Sequence, residues 1–257
     1  MKCIILAAGL GLRFDGSTNG QFKTAQSKTT RSKTTLPIGE GVPLLRHTVN
    51  TLRRLGLDEI VVVVGFDRES VTESLAGTNV TIIENCKYRT SNSITSAYQC
   101  LEYFDGSDDI LMMNGDTYYD RSLVLTTIDD PVSPILLVDE SRRHLADVKV
   151  LIRDGMVTRY DKELNQPPDA ESADLVKISA QHARLFREAL HTMVLEGSVD
   201  RYWEEALFRM NSLPVYARDT GGLFWADVDR VEDYQRILAH IDEDSDRTNR
   251  EGGAKCR

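Results

Sequence analysis

Leu6-Ala7-Ala8-Gly9-Leu10-Gly11-Leu12-Arg13 follows directly on an apolar run that begins at Cys3. Glycines just beyond a first strand let backbone N–H groups approach a phosphate, and Arg13 adds positive charge there. The spacing is not a dinucleotide fingerprint, because Phe14 stands where a third glycine belongs, and no G-K-[ST] follows to make a P-loop. Two glycines by themselves would equally serve a tight turn. Farther along, Asn114-Gly115-Asp116 closes one apolar run and Ala226-Asp227-Val228-Asp229 closes another. Either acidic group alone fits a solvated turn or a helix cap. Facing one crevice, the two would suit a hard divalent cation, since Mg2+ uses one or two carboxylates plus phosphate oxygens. Lys33, in Ser32-Lys33-Thr34-Thr35-Leu36-Pro37, supplies a cation ahead of a short apolar stretch.

Bringing these groups together needs strands that end side by side. The first half alternates short apolar runs with helical patterns: strands at 2–7, 59–64, 80–83 and 109–113, and helices at 43–55, 69–75 and 93–103. Four consecutive valines from Val61 mark a central strand buried on both faces. That order predicts an α/β, Rossmann-like three-layer sandwich with a mainly parallel central sheet and ligands beyond the carboxyl ends of its strands. The second half predicts a small β-rich subregion, with short strands at 134–138, 147–153, 156–161 and 175–179 and a hairpin turn at Asp154-Gly155. Helices at 180–195 and 199–210 follow; strands at 214–217 and 223–226 complete the sheet, and a last helix spans 231–241. Residues 242–257 have no apolar face and are expected to be a disordered tail.

The chain has 257 residues, with 31 Lys+Arg against 40 Asp+Glu and a net charge of -9. That balance argues against a general nucleic-acid or anionic-membrane surface, but not against a small anionic ligand in a locally basic site. The four cysteines are scattered, without C-x-x-C or zinc spacing, which suits reduced thiols in a cytoplasmic protein. The N-terminal apolar run is too short for a membrane helix, and no signal peptide is expected.

The six segments LAAGLGLR (6–13), SKTTLPIGEGVPLL (32–45), ENCKYRTSNSITSAY (84–98), NGDTYYD (114–120), VDRYWEEAL (199–207) and FWADVDRVEDY (224–234) resemble the nucleotidyltransferases that make activated sugars and alcohols. Within them the chain is similar to the small cytidylyltransferases that act on phosphocholine and phosphonates, over about residues 1–240. The resemblance implies one domain over 1–241, with 1–130 mainly nucleotide-binding and 131–241 mainly acceptor-binding. It implies that Leu6, Ala7, Ala8, Gly9, Gly11 and Asp116 bind the nucleotide, that Gly9, Gly11 and Arg13 hold its phosphates, and that Lys33 contacts the α-phosphate, with Arg13 and Lys33 as the catalytic pair. Asn92 and Ser96 would read the base and ribose, and Asp116, Asp227 and Asp229 would hold Mg2+. Lys23, Lys28 and Arg31 are rivals to Lys33, because the loop from Phe14 is long and Ser32 replaces the family's usual proline.

The implied partners are CTP, or another nucleoside triphosphate, and a small phosphate or phosphonate acceptor, in a monomer or homodimer. Asp147, Lys149, Lys162 and Tyr202 match the acceptor side. Tyr202, Trp203 and Trp225 could wall a trimethylammonium group, but they also suit ordinary core positions. Arg142, Arg143, His144, Lys149, Lys162 and Lys177 make this half of the chain look basic, which favours an anionic, phosphonoformate-like acceptor over phosphocholine. A sugar-phosphate enzyme using another triphosphate is the competing expectation within the fold.

Overall fold

The computed structural model describes residues 1–11 and 31–254. β1 (Lys2–Ala7) is buried along its length. Strand alternation sends Ile4 and Leu6 into one hydrophobic core and Cys3, Ile5 and Ala7 into a second. The hairpin β2 (Pro37–Ile38) and β3 (Val42–Pro43) leads into α1 (Leu44–Arg54), β4 (Glu59–Val64), α2 (Arg68–Ser74), β5 (Thr81–Glu84) and α3 (Ser93–Tyr98). Then come β6 (Ile110–Asn114), β7 (Thr117–Tyr119), α4 (Arg121–Asp129) and β8 (Ile135–Asp139). The chain continues through β9 (Lys149–Arg153), β10 (Met156–Asp161), β11 (Ala170–Ile178), α5 (Ala180–Leu195), β12 (Tyr216–Asp219), β13 (Trp225–Asp227) and α6 (Val231–Ala254).

Helices cover both faces of a nine-stranded sheet ordered β5-β4-β1-β6-β11-β8-β12-β10-β9. Ile94 of α3, Phe186 of α5 and Trp203 pack on one face, and Val49 of α1, Val71 of α2 and Leu123 of α4 pack on the other. The expected mainly parallel sheet is corrected to a mixed one. β5, β4, β1 and β6 are parallel, whereas β11 runs antiparallel to β6, β8 and β9. The pairing of β11 with β9 closes β11, β8, β12, β10 and β9 into a small barrel. β11 can serve all these partners because it is long and its register with β8 breaks between Ser172 and Val176. Such a break bends a strand and re-aims its side chains.

Other expectations shift locally. The helix foreseen at 199–210 is a 3-10 turn, Trp203–Arg209. The strand foreseen at 223–226 does not join the main sheet; β13 forms a separate two-stranded sheet with β7. α6 continues to Ala254 through the segment expected to be disordered. Its first half is anchored by Tyr234 and Ile237 in a third core with Leu36, Ile38, Tyr118 and Val228, and extending a formed helix needs no new nucleus. Among the described residues no helix is long and apolar enough to cross a membrane.

Candidate active site

The ends of β1 and β6, the Lys33 turn and the barrel mouth surround a cavity of about 450 Å³. Leu6, Ala7, Ala8, Gly9 and Gly11 all line it. Gly115 N donates to the Leu6 carbonyl at 2.8 Å, which draws the end of β6 against β1. Gly11 has φ 60°, and a Cβ there would stand 3.1 Å from the Lys33 side chain, so glycine is what lets Lys33 lie across the loop. At Gly9 a Cβ would meet nothing within 4 Å, leaving the backbone open to a ligand. Arg13, Lys23 and Lys28 lie outside the described residues. Arg31 is exposed, whereas Lys33 is buried and lines the cavity, which separates these two.

Lys33 opens a 3-10 turn, Lys33–Thr35, held by the Thr35 hydroxyl on the Ser32 carbonyl and by Ser32 N on Asp67. Its ammonium donates to Asp229 Oδ1 at 2.7 Å and lies 3.8 Å from Asp116 Oδ2. The two aspartates meet because β7 and β13 pair antiparallel, with Thr117 opposite Asp227. Val228 N also donates to the Asp116 carbonyl at 3.0 Å. Asp233, in the first turn of α6, accepts from Asp229 N and Arg230 N and so fixes the turn that carries Asp229. Asp227 sits behind this pair and accepts a hydrogen bond from the Thr117 hydroxyl. Burial first, then the charges of Asp174 and Asp116, push the Asp227 carboxyl well above the usual range. Asp116, Asp227 and Asp229 therefore line one cavity, but among the described residues no group of three His, Cys, Asp or Glu converges as a ready metal cage.

Asn92 caps α3 by accepting from Ser93 N at 2.8 Å, and Ser96 accepts from the buried Asn85 amide at 3.0 Å. Both line the cavity, so the segment read as base and ribose contact is built as a rigid wall. Where the acceptor was expected, Lys162 bonds Asp147 at 2.9 Å and lies 4.9 Å above the Tyr202 ring. All three line the cavity, but Lys149, on β9, does not. Two other basic residues expected there, Arg142 and Lys177, are engaged elsewhere. Arg142 bonds Glu171 at 2.7 Å and stacks over Trp225, and Lys177 donates to the Ile128 and Asp130 carbonyls.

Two lining residues that sequence reasoning passed over are Asp174 and Glu204. Asp174 occupies the β11 register break with φ 51°, a conformation that a side chain tolerates poorly outside special sites. Asn114 and Ser172 satisfy its carboxylate, at 3.2 and 2.6 Å. Burial, and then Glu204, raise its carboxyl well above the ordinary range. Glu204 is 1% exposed, and burial pushes it up to about 8 against partial relief from its own backbone and from Tyr160. Among the described residues, Asp116, Asp147, Asp174, Glu204, Asp227 and Asp229 line the cavity with two lysines, Lys33 and Lys162.

A glycine turn, a lysine close to two aspartates and a far wall of acidic side chains now stand in one cavity. Residues 3–144 match the MobA-like NTP transferase domain. The chain belongs to this family. It is thus a nucleotidyltransferase related to small cytidylyltransferases and phosphonate-CMP synthases. It is 28% identical over 246 residues to a choline-phosphate cytidylyltransferase of Haemophilus influenzae, covering 94% of this chain and 97% of that one. It is 28% identical over 171 residues to a CMP-5'-(3-aminopropyl)phosphonate synthase of Streptomyces rubellomurinus, covering 65% of this chain and 25% of that longer protein. The fold superposes on the CTP:phosphocholine cytidylyltransferase of Streptococcus pneumoniae with a TM-score of 0.69 at 20% identity, covering 93% and 98% of the two chains.

Proposed function

We propose that this nucleotidyltransferase moves CMP from CTP onto the phosphate or phosphonate oxygen of a small acceptor whose other end is cationic, the class to which phosphocholine belongs. The observation that carries the reading is Lys33, held 2.7 Å from Asp229 and 3.8 Å from Asp116 beside the Gly9–Gly11 turn. An acceptor oxygen attacks the α-phosphorus in line, the new P–O bond forms, and the bond to the bridging oxygen of pyrophosphate breaks. Lys33 neutralises charge that develops on the α-phosphate and leaving group, while the glycine turn and the α3 wall hold the nucleotide in place. Arg13 would add charge at the same phosphates. The use of cytosine is supported by the likeness to the choline-phosphate enzyme along nearly the whole chain.

The site fits Mg2+. Asp116 and Asp229 offer hard oxygens beside Lys33, and burial together with the charges of Asp174 and Asp116 raises Asp227, which added positive charge would relieve. Asp116 and Asp229 would hold the ion, with Asp227 behind them as a support. When bound, it would supply further charge neutralisation at the triphosphate.

The cationic end of the acceptor follows from the far wall. Asp147, Asp174 and Glu204 stand there with Lys162; burial raises Asp174 and Glu204, which a cationic group beside them would relieve, and Lys162, paired with Asp147, is placed to meet the acceptor phosphate. An acceptor bearing a carboxylate, expected from the basic run at 141–144, would lack its basic partners there, because Arg142, Arg143 and His144 do not line the cavity. Pyrophosphate release with CTP, UTP, GTP and dTTP, each with phosphocholine and with phosphonoformate, tests the reading. Release with CTP and phosphocholine, abolished by Asp116→Asn, is expected; release with phosphonoformate alone would refute the acceptor class.

A further inference from the structure

Ser32, the residue ahead of Lys33, is buried, and a buried backbone N–H needs an acceptor. Its acceptor comes from far along the chain. Asp67 Oδ2 takes the hydrogen bond at 2.9 Å, across 35 positions. Asp67 stands at the N-terminus of α2, where an aspartate ordinarily accepts from the first N–H groups of its own helix. Here its carboxylate makes no such cap, and the residue holds φ 51° and ψ 36°, in the left-handed region. Residues other than glycine stay in that region where their surroundings impose it, and they gather at functional sites. The missing cap and the left-handed backbone go with a carboxylate aimed at Ser32 instead.

The two residues before Asp67 grip the entry to the glycine turn. Phe66 N donates to the Ala8 carbonyl at 3.1 Å. A Cβ at Gly65 would stand 2.9 Å from the Ala8 carbonyl oxygen and from the Ala8 and Tyr88 side chains, so the chain leaving β4 can pass this close only as glycine. Residues 65–67 therefore touch Ala8 on one side and Ser32 on the other. The Lys33 side chain completes the arrangement by lying across Gly11.

We propose that Gly65-Phe66-Asp67 is a bracket that sets Lys33 against the glycine turn, and that Asp67 is a positioning residue that acts on the transfer through Lys33. Asp67 is not among the residues that line the cavity, so its effect on the chemistry runs through the Ser32–Lys33 backbone. The inference rests on the reading of Lys33 as the cation at the α-phosphate.

The experiment measures pyrophosphate release from CTP with Mg2+ and phosphocholine, alongside thermal melting, for Asp67→Gly, Asp67→Asn, Lys33→Met and the double variant of Lys33→Met with Asp67→Gly. Asp67→Gly removes the acceptor oxygen but relieves the left-handed backbone, so the two effects on stability offset and Tm should change little. Its kcat should fall about tenfold, the range for a lost hydrogen bond to a charged group, with the KM for CTP moving far less. Asp67→Asn keeps an oxygen that can accept from Ser32 N and should lose much less. In the Lys33→Met background Asp67→Gly should lower kcat no further, because residues that act as one unit are not additive. A kcat unmoved by Asp67→Gly, an equal loss in Asp67→Asn, or a further tenfold fall in the double variant would overturn the inference and leave the transferase reading standing. A kcat unmoved by Lys33→Met, or no release from CTP by the unaltered protein, would overturn the reading itself and the inference with it.

Discussion

The Lys33 ammonium and Asp229 Oδ1 lie 2.7 Å apart although 196 positions separate them in the chain. The short β7–β13 ladder and the Asp233 cap create this contact, because they deliver Asp229 to the end of a parallel strand where Asp116 already waits. Replacing Lys33 by Met should lower kcat by about 10²–10³-fold, the range for loss of a group that stabilises charge in the transition state. Steady-state kinetics with CTP and phosphocholine measure it; a loss below tenfold would remove Lys33 from the chemistry.

Gly9→Ala separates phosphate approach from folding. Space around the would-be Cβ is open, so stability should change by less than about 0.5 kcal/mol in urea unfolding. If the turn cradles the triphosphate, KM for CTP should rise by about tenfold, equivalent to roughly 1.4 kcal/mol. An unchanged KM would place the phosphates elsewhere.

Lys162 should serve the acceptor rather than the nucleotide. Lys162→Ala is expected to raise the acceptor KM by about tenfold, as for loss of a charge-assisted bond, while the CTP KM changes little. A larger effect on CTP would reverse the assignment of the two ends of the cavity.

Buried acids also shape the pH dependence of stability. Glu204 titrates at about 8 in the folded protein against 4.5 for the ordinary carboxyl, so between these values the folded state keeps a proton that the unfolded state releases. Stability from this group therefore falls as pH rises through that window and levels off above it. Asp174 and Asp227 act in the same direction, and Asp227, Glu205 and Tyr160 are the groups that bear on Glu204. Melting of the ligand-free protein across the window should show a falling Tm, and Glu204→Gln should flatten the slope. An equal slope in the variant would contradict the position of this carboxyl.

Several of these relationships were legible in the sequence because they are local. The valine run around Val61 announces a buried central strand, and Gly9, Gly11, Asp116 and Asp229 stand out because each punctuates a strand end. The barrel was hidden because it depends on β11 changing partners at a register break, a nonlocal choice that no periodicity records. β7 and β13 are three residues each, too short to leave a pattern. Glu204 was missed because it stands next to Trp203 in a run that reads as a helix, and Asp174 because it interrupts a strand. The basic acceptor side misled because linear proximity put Arg142 and Lys177 near the site, whereas their bonds to Glu171 and to the Ile128 and Asp130 carbonyls hold them elsewhere.

The central claim is the joining of CMP to an acceptor phosphorus. Phosphorus-31 NMR of the enzyme with CTP, Mg2+ and phosphoethanolamine or phosphocholine observes it directly. A diphosphate resonance linking the cytidine α-phosphorus to the acceptor phosphorus, appearing in step with free pyrophosphate, is predicted. Cleavage of CTP without that linked product, or the linked product formed from UTP, GTP or dTTP but not from CTP, would contradict it.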